Sequence, residues 1–153
     1  MSMTKKNSPI HRLKKHDSDT FKELVELFNE VFGNKNKKIP KKSYLKKLLE
    51  NPDFIVHVAM HNKKVVGGLT AFVLPKYYAK ESEILLYDIA ITEEFQRKGL
   101  GKLLLDSLLE HCKENKISEV FVAAHKADKN ALDFYVSTGG KAEQVVHFNY
   151  LVN

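Results

Sequence analysis

The succession of periodic segments along the chain predicts one α+β domain built on a mixed sheet, and three observations carry it. Phe54, Val56, Val58 and Met60 alternate with Ile55, His57 and Ala59, and a short polar turn leads into a second apolar, β-branched-rich run over 64–74, as in paired strands. Phe21, Leu24, Val25, Phe28, Val31 and Phe32 recur at the spacing of one helix face. An apolar strand-like run over 84–91 passes through a glycine-containing turn into a second amphipathic helix carrying Leu100, Leu103, Leu104 and Leu108. The full order reads β-α-α-β-β-β-α-β-α-β.

Residues 1–8 read as a disordered leader and 9–153 as a single domain. Residues 10–13 form a short edge strand. Asp17 or Ser18 caps the first helix, and Gly33 ends it. After a lysine-rich loop, Pro40 opens a shorter helix with Tyr44, Leu45, Leu48 and Leu49, stopped before Pro52. His61-Asn62-Lys63 turns the first long strand into the second, which Pro75 closes. A polar loop leads to the strand over 83–92, a helix over about 98–115 and a strand over 119–124. Asp128 caps a helix that runs to about Thr138 and stops at Gly139-Gly140, and 143–152 reads as a last strand.

At 153 residues the chain can bury a core without metal or disulfide help. It has no apolar run of the ~18 residues that cross a bilayer, and no apolar stretch behind its first lysines to make a secretory signal. A lone cysteine excludes a disulfide framework and suits a reducing cytoplasm; Cys112 falls on the apolar face of its helix, as core filler. The formal charge of +6 is uneven: residues 1–47 hold 13 basic against 5 acidic side chains, and the remainder 12 against 14. The lysine-rich stretch 35–47 has a single aromatic, Tyr44, and no repeated interleaving of aromatics with its lysines, so it reads as a solvated face, and neither nucleic acid nor membrane is expected as a partner.

The run Gln96-Arg97-Lys98-Gly99-Leu100-Gly101-Lys102 stands between the apolar strand and the helix. A glycine turn at a helix start leaves backbone N–H groups without helical partners beside the positive end of the dipole, which suits a phosphate or diphosphate. Gly99 lets an anion approach the backbone, Gly101 removes a Cβ where the helix must pack on its sheet, and Arg97, Lys98 and Lys102 add charge. The plain alternative is an ordinary strand–loop–helix connection with solvated lysines. A dinucleotide fingerprint would need glycine at Leu104, and a P-loop would need Ser or Thr at Leu103 and Gly at Gln96.

The run resembles the acetyl-CoA signature Gln/Arg-x-x-Gly-x-Gly/Ala of the GNAT acyltransferase superfamily. About 30 residues later, Asn130-Ala131-Leu132-Asp133-Phe134-Tyr135 followed by Gly139-Gly140 is similar to that superfamily's second motif, Asn-x-x-x-x-Tyr-x-x-x-Gly. Within the superfamily, the segments Val65-Val66-Gly67-Gly68-Leu69, Phe72-Val73-Leu74-Pro75-Lys76, Ser82-Glu83-Ile84, Tyr87-Asp88-Ile89-Ala90 and His147-Phe148 resemble the aminoglycoside 3-N-acetyltransferase branch over roughly residues 18–150. The resemblance implies a GNAT-type, mostly antiparallel mixed sheet of six to seven strands with about four helices. It also implies a cleft where two strands splay apart to take acetyl-CoA as cosubstrate. In that cleft Ile89, Ala90 and Ile91 would pair with the pantetheine amides, and Gln96 to Lys102 would hold the diphosphate. Asn130, Phe134 and Tyr135 would line the coenzyme from the later helix.

Transfer of acetyl to an amine needs a proton acceptor, because an alkylamine with a pKa near 10.4 arrives protonated. Asp88, a carboxylate among apolar strand neighbours, is the first candidate for base or acceptor anchor. Glu83 is the second, although its odd separation from Asp88 puts the two on opposite faces of a regular strand unless a bulge intervenes. Tyr135 suits protonation of the departing thiolate; its alternative is a core tyrosine beside Phe134. Asn130 would bond a pantetheine amide or simply cap its helix. The seven histidines lack ligand spacing, so no metal is expected.

The resemblance implies a small-molecule amine as partner, an aminoglycoside-like polyamine, in a cytoplasmic resistance enzyme; a homodimer is compatible with it. A cationic antibiotic needs carboxylates, which Glu81, Glu83, Asp88, Asp128, Glu23, Glu26 and Glu30 can supply. Lys41-Lys42 and Lys46-Lys47, and Asn149 where the resistance enzymes carry aspartate, keep three other readings open. These are another small amine, a protein or peptide amino group, or a non-catalytic acyl-CoA-binding module.

Overall fold

A computed structural model describes residues 8–153; the leader expected over 1–8 lies almost wholly outside the described residues. The chain divides into two compact units, one ending at Val122 and one over 123–153. In the first unit the elements run β1 (Ile10–Arg12), α1 (Ser18–Val31), α2 (Lys42–Glu50), β2 (Phe54–His61), β3 (Lys64–Pro75) and β4 (Ser82–Ile91). A 3-10 turn (Glu93–Phe95), α3 (Leu100–Glu114) and β5 (Ile117–Phe121) complete it. The sheet has the order β1-β2-β3-β4-β5, antiparallel except for the parallel β4–β5 pair.

Alternation along the strands assigns the two faces. Phe54, Val56 and Val58 pack with Phe21, Leu24, Leu27 and Phe28 of α1 and Leu45 of α2. Their neighbour His57 points the other way and meets Ser107 of α3. Under α3 lie Ile55, Leu69, Ala71, Ile84 and Leu86, with Leu104 and Leu108 above them, all almost fully buried. Gly68 sits where α1 crosses: a Cβ there would lie 2.5 Å from Leu24 Cδ1 and 2.8 Å from the His57 carbonyl oxygen.

Two of the helix signals shift, the first being Pro40, which stands before Lys41, the N-cap of α2, and does not itself open that helix. Gly33 follows α1 at φ +74°, but the Asp17 carboxylate accepts from the Lys14 N–H at 2.7 Å and makes no cap bond to the helix. The second unit holds α4 (Lys129–Ser137), where Asp128 does cap, accepting from the Ala131 N–H at 3.0 Å. The last strand expected over 143–152 is not formed: residues 141–153 have no regular hydrogen-bonded structure. A strand exists only with a ladder partner, and α4 is the sole regular element of that unit. The sheet therefore has five strands, not six to seven.

Candidate active site

The centre of the site is an irregularity in β4. Thr70 of β3 faces Asp88, whereas the next residue, Ala71, faces Leu86, so Tyr87 is an extra residue bulged out of the ladder. The bulge resolves the parity problem between the two candidate carboxylates. Glu83 is opposite Leu74 and Asp88 opposite Thr70. Those partners are an even number of residues apart on a regular strand, so both carboxylates belong to the face covered by α1 and α2. Tyr87 packs its ring edge-on to Phe72 of the same face, at 5.6 Å and 79°.

Asp88 is half-buried, and loss of hydration pushes its carboxyl pKa up, with the Lys37 charge pulling the other way. Lys37 lies in the α1–α2 loop, where it lines a cavity of about 320 Å³ with Glu26, Asn29, Glu30, Lys35 and Ile39. Other acids named by the sequence are committed elsewhere. Glu81 is 2.8 Å from the Lys76 ammonium, Asp128 caps α4, and Glu23 accepts from the Val65 N–H at 3.4 Å.

Beyond the bulge, β4 has an open edge. Its ladder with β5 ends at the pair Leu85–Phe121, so the outward backbone groups of Ile89 and Ile91 meet no strand on that side, while Ala90 between them turns its own toward Gly68 of β3. One of them, the Ile91 carbonyl, accepts from the Gln96 side-chain amide at 2.9 Å, which ties the following loop to the strand end. Thr92 anchors the same point, its N–H donating to the Val66 carbonyl at 2.9 Å.

The loop then turns on two left-handed residues, Arg97 at φ 61° and Gly99 at φ 81°. Gly99 is the N-cap of α3, and no side chain caps the helix. A Cβ on Gly99 would meet nothing within 4 Å, so glycine is needed there for its backbone angle and not for space. Leu100, Gly101 and Lys102 form the first turn. The Lys102 ammonium is 2.6 Å from Asp106, whereas Lys98 lies 4.9 Å from the centre of the Phe95 ring. A further neighbour of this ring was not legible in the sequence: His61, from the β2–β3 turn, sits 4.9 Å from Phe95 at 50°. An uncapped helix start, a positive-φ glycine, adjacent cations and an open strand edge fit a diphosphate followed by an amide-bearing arm.

Asn130, Phe134 and Tyr135 belong to α4 of the second unit. With Asp128 as cap, Asn130 is not the capping residue. The Phe134 and Tyr135 rings meet at 5.3 Å and 64°. Gly140 closes on the Tyr135 carbonyl, donating to it at 2.8 Å with no room for a Cβ. Cys112 is buried under α3, and loss of hydration raises its thiol pKa, as for a packing residue. Among the described residues no group of three or more His, Cys, Asp or Glu side chains could hold a metal, and no helix is long and apolar enough to cross a membrane.

Comparison with known proteins places this geometry. A profile of the acetyltransferase (GNAT) family matches residues 21–139. A crystal structure of aminoglycoside acetyltransferase meta-AAC0020, from an uncultured soil metagenomic sample, is 43% identical. The match covers 94% of this chain and 95% of that one with a TM-score of 0.91, in complexes with trehalose and with sisomicin. Aminoglycoside acetyltransferase HMB0005, also from a soil metagenome, is 29% identical, with 94% and 97% covered and a TM-score of 0.88. The [ribosomal protein bS18]-alanine N-acetyltransferase of Escherichia coli (strain K12) is 26% identical over 84 residues, 55% of each chain. The chain thus spans about half the length of the curated relatives it matches.

Proposed function

Because the chain belongs to the acetyltransferase (GNAT) family, whose members use acetyl-CoA, we propose that it acetylates an amine directly, in a ternary complex, and that the amine is the 3-amino group of an aminoglycoside-like polyamine. The observation that carries this reading is the bulge at Tyr87, with Glu83 and Asp88 on one face beside an open strand edge. The likeness to meta-AAC0020, a protein crystallised with sisomicin, supports the acceptor class.

When bound, the coenzyme supplies a thioester-activated acetyl group. The chain's own groups do the rest. Asp88 takes the proton of the incoming ammonium, directly or through water, and its raised pKa brings it closer to that task than an ordinary surface carboxylate. Glu83 holds the acceptor through a second positive charge. A backbone N–H of Ile89 or Ile91 donates to the developing oxyanion, a contact worth roughly 3–4 kcal/mol of barrier. Arg97, Gly99 and the first turn of α3 bind the diphosphate, with Lys98 beside them for the coenzyme's remaining phosphate charge. Tyr135 gives its proton to the leaving thiolate, and Asn130 bonds the pantetheine arm beside Phe134.

Lys35 and Lys37 beside Glu26 and Glu30 favour one further reading, an acceptor with a single amine, either a small molecule or a peptide N-terminus. The two are separated by thiol release from acetyl-CoA with sisomicin, spermidine and a peptide beginning in alanine. Sisomicin is expected to give the highest kcat/KM. Turnover of the peptide with none of sisomicin would overturn the aminoglycoside reading.

A further inference from the structure

We propose that the stack of His61, Phe95 and Lys98 is the seat of the 3′-phosphate at the adenosine end of coenzyme A, so that the β2–β3 turn shares in holding the coenzyme. The inference rests on the coenzyme reading of the α3 N-terminus. The β2–β3 turn and the β4–α3 loop lie at the same end of the sheet, because β3 starts beside the one strand and pairs the end of the other: Met60 faces Val65, and Gly67 faces Ile91. Phe95 there is partly buried, with the exposed His61 ring at 4.9 Å and the exposed Lys98 ammonium at 4.9 Å from its centre. An ammonium over an aromatic ring is attracted to it. The ring thus restrains a lysine that would otherwise sweep through solvent.

Charge balance gives the turn its importance. Glu93 and Glu94, on the 3-10 turn that carries Phe95, offset the charges of Arg97 and Lys98. Lys102 is matched by Asp106. The loop by itself is therefore near neutral, a poor partner for the three phosphates of a coenzyme. Lys63 and Lys64 of the β2–β3 hairpin tip the balance to positive on that side. In coenzyme A the 3′-phosphate is one ribose away from the diphosphate. A diphosphate on the first turn of α3 therefore leaves that phosphomonoester within reach of neighbouring cations. A lysine held by a ring supplies a charge-assisted hydrogen bond of the kind phosphate takes, and an imidazole N–H supplies a second donor beside it.

Calorimetric titration with coenzyme A and with dephospho-coenzyme A tests this in the full chain. The unaltered protein should bind coenzyme A about tenfold more tightly than the dephospho form, a difference of about 1.4 kcal/mol. His61→Gln should shrink that ratio toward one while dephospho-coenzyme A binds as before, and His61→Lys should restore it. Equal affinity of the unaltered protein for the two ligands would overturn the inference and leave the coenzyme reading standing. So would a His61→Gln variant that weakens both ligands alike, since that marks a merely structural stack. Binding of neither ligand to the unaltered protein would remove the coenzyme reading itself.

Discussion

The two faces of the sheet are built from alternate residues of the same strands, yet they differ in kind. Under α3 the surface is dry, from Ile55 through Leu69 and Ala71 to Ile84 and Leu86, sealed by Leu104 and Leu108. Its polar interruption is His57, whose Nδ1 is 2.9 Å from the Ser107 hydroxyl and whose Nε2 is buried without a partner. Under α1 and α2 the apolar cluster is confined mostly to β2. Toward β4 that same face carries Thr70, Glu83, Tyr87 and Asp88. One face is committed to cohesion and the other gives up part of its packing to polar and acidic side chains, and a single bulge decides which residues fall on it.

Asp88→Asn sharpens this contrast most. Turnover should fall by about 10³-fold, the range for a lost general base, while the melting temperature stays level or rises. Ionised Asp88 is disfavoured by the fold: its raised pKa means that it supports stability below the unfolded carboxylate pKa and forfeits that support as pH rises through the folded value. A variant that both melts earlier and loses activity would mean the residue is structural. Leu108→Ala, on the other face, should cost about 3 kcal/mol in urea unfolding through the cavity it leaves, with kcat per folded molecule unchanged. A fall in kcat would show that the two faces are not separable.

Acid tests the interruption on the α3 face. Burial, with the charges of Arg12, His111 and Lys14 behind it, lowers the His57 pKa from 6.5 to about 4. Neutral His57 is compatible with the fold and its cation is not, so its contribution is fully present above about pH 6.5 and is lost as pH falls toward about 4. The loss should amount to about 3 kcal/mol. His57→Gln should flatten that part of the stability profile, and an unchanged acid limb would assign the transition to other groups.

Much of this was legible beforehand because it depends on local rules. The spacing of Phe21, Leu24 and Phe28 gave α1, and the glycine turn before Leu100 gave α3 with its uncapped start. Asp128 was readable as a cap, whereas Asp17 was not, because its carboxylate had a backward option at Lys14 that no pattern announces. The shared face of Glu83 and Asp88 was beyond the sequence alone, since Tyr87 is an ordinary strand residue and nothing in its type marks it as the extra one. His61 meets Phe95 only through the antiparallel return of β3, a contact set by topology. The segment 143–152 shows the opposite failure: strand-like composition is no guarantee of a ladder when the partner must come from elsewhere.

The gap between β4 and β5 carries a liability as well as a use. Beyond the end of that ladder β4 presents outward strand backbone at Ile89 and at the Ile91 N–H, the kind of surface on which a neighbouring molecule can lay a strand of its own. An amide-bearing arm laid on that edge would fill the template, and a cosubstrate seated there would then also shield the chain from pairing with copies of itself.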